Sequence, residues 1–66
     1  MQHGQIRFYN QKEAYGFIER EQPGRDVFMH ERNVNSGTPE VGAVVKFELA
    51  DSERGPRAEA VIIQDG

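Results

Sequence analysis

The 66-residue chain contains no cysteine, which excludes a disulfide framework and a thiolate-bound metal, the two usual staples of very small domains. A single thin layer of apolar side chains must hold the fold, because a chain this short buries only a modest share of its surface. No apolar run approaches the roughly 20 residues that span a bilayer. The opening Met1-Gln2-His3-Gly4 has neither the basic start nor the apolar stretch of a signal peptide. A cytoplasmic protein with no membrane partner is the expectation. A basic excess is missing too: 8 Lys and Arg stand against 11 Asp and Glu, a net charge of −3. Such a balance argues against a binder of polyanions that works by Coulomb attraction, so any nucleic-acid contact must lean on stacking. Repeats, linkers and low-complexity stretches are absent as well, and residues 1–66 read as one domain.

What is present is an all-β pattern. Gly and Pro punctuate the chain at short intervals, and the segments between them alternate in polarity. Five strands are predicted, over Gln5–Asn10, Tyr15–Glu21, Asp26–His30, Ala43–Asp51 and Arg57–Gln64, with the tightest turn at Pro23-Gly24. Because side chains alternate along a strand, Tyr15, Phe17 and Glu19 share one face and Gly16, Ile18 and Arg20 the other. Phe28 and His30 likewise oppose Val27 and Met29, while Val45, Phe47 and Leu49 oppose Lys46 and Glu48. The inner set is then aliphatic with one phenylalanine, and a small closed antiparallel barrel hides the strand edges most economically. Phe8 and Tyr9 break the rule, since neighbours on an unbroken strand cannot share a face. A bulge, a bend or partial burial is required there.

Five of the six aromatic residues, Phe8, Tyr9, Tyr15, Phe17 and Phe28, fall in the first three strands. A chain short of core bulk is expected to bury its rings, so their outward placement marks a binding face. Rings flanked by Arg7, Lys12, Arg20, Arg25 and His30 suit unstacked bases with phosphates alongside, each stacked base contributing ~1–3 kcal/mol. The plainer explanation is that aromatic residues favour strands, or that the rings form a second small core under the loops.

Gly4-Gln5-Ile6-Arg7-Phe8-Tyr9-Asn10, Tyr15-Gly16-Phe17-Ile18 and Asp26-Val27-Phe28-Met29-His30 resemble, in order and spacing, the bacterial cold-shock protein family. Tyr15-Gly16-Phe17-Ile18 looks like the first ribonucleoprotein motif of that family and Val27-Phe28-Met29-His30 like the second. Gly42, Phe47 and Arg54-Gly55-Pro56 extend the likeness almost to the end. The resemblance implies a five-stranded oligonucleotide-binding fold that takes single-stranded RNA and DNA, commonly as an RNA chaperone or a regulator of transcription or translation. Residue by residue, it implies stacking by Phe8, in place of the usual tryptophan, and by Phe17, Phe28 and His30. Tyr9 and Tyr15 stand for phenylalanines and Arg7 for a lysine. The nucleic-acid-binding set is therefore Arg7, Phe8, Tyr9, Tyr15, Phe17, Phe28 and His30. Four departures trim the expected footprint: Glu13 replaces a lysine, Ala14 a glycine and Glu31 a stacking phenylalanine, and the segment Asn35–Val41 is short and carries no ring.

Other residues carry less. His3 reads as a solvated terminal residue, and two separated histidines without cysteine do not make a metal site. Glu13, Glu19, Glu21 and Glu31 lack a nucleophile or a partnered base, and the glycine turns lack the strand–loop–helix setting of phosphate-binding enzymes. No enzyme, cofactor or metal is expected. Arg25 and Asp26 read as a surface ion pair worth less than ~1 kcal/mol. Arg7 is the better candidate for a phosphate contact. The competing reading is a protein-interaction or self-associating module, because carboxylates at the rim repel phosphate but tolerate a basic peptide. Either a monomer or a strand-swapped homodimer fits the short 35–41 connection.

Overall fold

The computed structural model describes residues 1–21, 24, 26–53 and 55–64. Pro23, and with it the turn expected at Pro23-Gly24, lies outside the described residues. The elements are β1 (Gln2–Asn10), β2 (Tyr15–Arg20), β3 (Val27–His30), a single 3-10 turn (Glu31–Asn33), β4 (Val34–Ser36), β5 (Val44–Ser52) and β6 (Gly55–Gln64). Antiparallel pairing runs β3-β2-β1-β5-β6, and β6 returns to β3 in parallel with Phe28 opposite Arg57. The five principal strands thus close into the expected barrel. No helix among the described residues is long and apolar enough to cross a membrane.

The barrel interior is one layer deep. Ile6, Ile18, Val27, Met29, Val45, Phe47, Ala58, Val61 and Ile63 fill it, and Phe47 is its one ring. Truncating a buried phenylalanine to alanine removes about 3–5 kcal/mol, a large share of the stability of any domain this small. The interior therefore has no slack.

Leu49 departs from its expected inward place and is 38% exposed. β1 pairs with β5 only from Val44 to Phe47, so beyond that point β5 has β6 as its one strand partner among the described residues. β1 also begins earlier than its polar start predicts, because Gln2–Gln5 pair with Val44–Phe47. β4 and the 3-10 turn escape a reading by periodicity. Three residues are too few to show alternation, and β4 exists through its parallel pairing of Val34 with Val61 and Ser36 with Ile62.

Two bulges shape the strands. In β1, Ile6 pairs with Ile18 and Phe8 with Phe17, which leaves Arg7 as the extra residue. In β6, Ala60 and Val61 face the single residue Phe47 between the pairs Lys46–Ile62 and Glu48–Glu59, and Ala60 takes a left-handed φ of 50°. The β1–β2 turn is organised by Asn10, whose Oδ1 accepts the backbone N–H groups of Lys12 at 3.0 Å and Glu13 at 3.1 Å. It closes through Ala14, at φ 59°, whose carbonyl accepts the Glu31 N–H at 2.9 Å.

A left-handed backbone costs an L-residue roughly 1–2 kcal/mol, while glycine gives back part of that relief as chain entropy in the unfolded state. Ala14→Gly is accordingly expected to stabilise the domain by roughly 0.5–1 kcal/mol. Thermal unfolding should show a midpoint raised by several degrees, at ~4–8 °C per kcal/mol for a domain of this size. An unchanged or lower midpoint would mean that Ala14 is not strained.

Candidate nucleic-acid interface

The extra residue in β1 reverses the facing of the strand's last residues. Ile6 points into the barrel opposite Ile18; after Arg7, Phe8 shares the outer face with Phe17, and Tyr9 turns inward opposite Gly16. Gly16 is fixed by this approach: a Cβ there would lie 2.3 Å from the Phe8 carbonyl oxygen and 3.0 Å from the Tyr9 ring. Of the bulge, bend or partial burial expected at the Phe8–Tyr9 pair, the strand has the bulge; it sets Phe8 outside and Tyr9 inside, so the two rings do not share the binding face as expected.

On the outer face the register aligns two rows. Phe8, Phe17 and Phe28 lie side by side across β1, β2 and β3, and Asn10, Tyr15 and His30 form the row beside them. Neighbouring strands lie about 4.8 Å apart, close enough for rings on adjacent strands to touch. Phe8 is 6.2 Å from Phe17 and 5.9 Å from Tyr15, Phe17 is 6.0 Å from Tyr15 and from Phe28, and Tyr15 stacks on Phe28 at 5.9 Å. Four rings thus form one continuous surface, with Phe8 exposed and the others half-buried by one another. A second core under the loops is not what this cluster is, since none of its members belongs to the buried set.

His30 stands at the end of β3, where its Nδ1 accepts the Arg32 backbone N–H at 3.2 Å. A neutral ring whose Nδ1 accepts carries its proton on Nε2, which makes Nε2 the donor. Arg7 projects from the bulge, mostly exposed, with Nη1 3.6 Å from Asp26 Oδ2. At that distance and exposure the pair is weak and readily exchanged. The Arg25–Asp26 pair expected from sequence involves a residue outside those described. Arg20 pairs with Gly4 at the far end of β2 from Tyr15, away from the rings.

Tyr9 leaves the ring cluster. It packs against the core and lines two adjoining clefts, one of about 460 Å³ shared with Phe8, Pro39 and Val41, the other shared with Glu31 and Thr38. Partial burial raises its phenol above the ordinary tyrosine value, and the Glu31 carboxylate raises it further. Glu13 and Glu31 are both exposed, at the turn after β1 and in the 3-10 turn after His30. Sequence reasoning missed Arg57, which continues the Phe8–Phe17–Phe28 row onto β6. The parallel β3–β6 seam is set by barrel closure, and no local pattern announces it.

The sequence matches the family model described as the 'Cold-shock' DNA-binding domain over residues 2–64. It is 40% identical over 65 residues to cold shock protein CspB of Bacillus caldolyticus, covering 94% of this chain and 97% of that protein. Identity to cold shock protein CspD of Bacillus subtilis is 37% over 65 residues with the same coverage. To cold shock protein ScoF of Streptomyces coelicolor it is 34% over 64 residues, covering 92% and 96%. A solved structure described as drosophila Unr CSD456 has a similar fold, with a TM-score of 0.78 at 18% identity. The alignment spans 97% of this chain and 26% of that one.

Ultraviolet titration of the phenols should find Tyr9 ionising above the ordinary value of about 10. Because its folded pKa is raised, Tyr9 adds stability that is complete below about pH 10 and is lost as pH climbs through the folded value. Glu31→Gln is expected to lower the Tyr9 pKa part of the way only, burial being the larger cause. A full return to the ordinary value would assign the whole shift to Glu31.

Proposed function

The chain belongs to the cold-shock DNA-binding domain family, and from that premise we propose that it binds single-stranded RNA or DNA by stacking unpaired bases on its outer ring surface. The observation that carries this reading is the four-ring cluster of Phe8, Tyr15, Phe17 and Phe28 outside the core of a barrel that has little apolar bulk to spare. Rings of this kind take any base, because every base has a π-face. His30 stacks or donates at the β3 edge, and Arg7 exchanges Asp26 for a phosphate. Tyr9 serves where the strand passes from Phe8 into the cleft beside Pro39. Chaperoning of RNA in the cytoplasm follows naturally from such contact, since a surface that holds unpaired bases favours the melted strand. No observation favours a protein-binding module, and nothing in the site resembles a nucleophile with its base.

Phe17→Ala and Phe28→Ala should each weaken binding of a short oligo-dT by ~1–3 kcal/mol in a domain that remains folded by circular dichroism. Equal affinity in a folded variant would remove the stacking model. With few phosphates neutralised, the plot of log affinity against log salt should be shallow, about 0.7 per phosphate contact on a single strand. A steep plot would transfer the main role from rings to charge.

A further inference from the structure

Arg57 is the fourth member of the row that starts at Phe8, set beside Phe28 by the parallel β3–β6 pairing and so facing the same side. Its guanidinium is held from its own strand: Nη2 donates to Glu59 Oε2 at 2.7 Å, with both side chains a little under half exposed. Nε is buried and has no hydrogen-bond partner. Nε–H and Nη2–H point to the same side of the guanidinium and together make the fork that grips a two-oxygen acceptor. Glu59 fills one prong and leaves the other unmet.

We propose that Arg57 and Glu59 form an exchangeable phosphate site at the β6 edge of the ring surface. The inference rests on the stacking function proposed for the rings. In the free protein the carboxylate holds the guanidinium in place and cancels its charge. When a strand stacks on Phe28, a phosphodiester offers two non-bridging oxygens, which satisfy Nε and Nη2 together as Glu59 does not, and the carboxylate is released to water. Since β6 runs parallel to β3, Glu59 lies from Arg57 in the direction that leads from Phe28 towards His30. The site therefore lies along the edge of the rings, where the backbone of a strand stacked on them would run. This arrangement gives an acidic chain a cation that acts on phosphate only once bases are in place, with little attraction for polyanions at a distance.

The test is oligo-dT hexamer binding by fluorescence titration at several salt concentrations, with Phe17→Ala as the reference for stacking. Glu59→Gln, which frees the guanidinium, should tighten binding several-fold at low salt. Arg57→Gln should weaken it several-fold and reduce the salt slope by about 0.7, one phosphate contact fewer. Arg57→Lys keeps the charge without the fork, so it should restore the slope but not the full affinity. In the Arg57→Gln background, Glu59→Gln should give little further gain. An equal gain in that background would overturn the proposal, because removal of a negative charge would then act without Arg57. Unchanged affinity and slope in Arg57→Gln would also overturn it. If Phe17→Ala still weakens binding in that case, the stacking reading stands and only the Arg57 site falls. If Phe17→Ala is silent too, both fall.

Discussion

One inserted residue in β1 sets the facing of the side chains beyond it. A strand gives each side chain two directions, and the barrel interior accepts only what fits in a single layer around Phe47. Before Arg7 the parity of β1 puts Ile6 inside; after it, Phe8 is outside and Tyr9 inside. Without the bulge, Phe8 would be directed at the core and the row of Phe8, Phe17 and Phe28 would lose its first ring. The same insertion presses β1 against Gly16, so the glycine of the Tyr15-Gly16-Phe17 motif is dictated by packing between strands. Ligand contact need not be invoked for it.

Charge is arranged to leave the ring surface without a strong field of its own. Arg7 is paired with Asp26 and Arg57 with Glu59, and Glu13 and Glu31 are exposed in turns near its margin. Each pair is solvent-accessible, so neither contributes much to stability. Their consequence is for recognition: attraction at long range is small, and contact between ring and base must supply the selectivity for unpaired strands. The acidic margin also bears on Tyr9, whose raised pKa reflects a phenol held between the core and a carboxylate.

Much of this was legible in the residues. Alternation in Tyr15–Arg20, Val27–His30 and Val44–Phe47 identified Ile18, Val27, Met29, Val45 and Phe47 as inward, and the adjacent Phe8 and Tyr9 announced an irregularity in β1. The two motifs at their separations pointed to the fold before any pairing was known. What stayed hidden depends on contacts between distant segments. Leu49 follows the alternation of its strand and is still exposed, because β1 has stopped pairing with β5 before that point. Tyr9 keeps its aromatic character but not its expected neighbours, since the insertion sends it to the other face. Arg57 is some thirty residues from Phe28 in sequence and joins the row only through barrel closure. Alternation reports which face a side chain takes, and says nothing of which strand lies alongside.

β6 has three partners: it pairs with β5, closes the barrel against β3 and carries β4. It is also the last of these strands in chain order. Without it, β1, β2 and β3 can pair with one another but have no seam to close, and the apolar inner face is as open to water as the ring face. Without β6 the other barrel strands have two exposed apolar faces; its pairing with β5 and β3 leaves one.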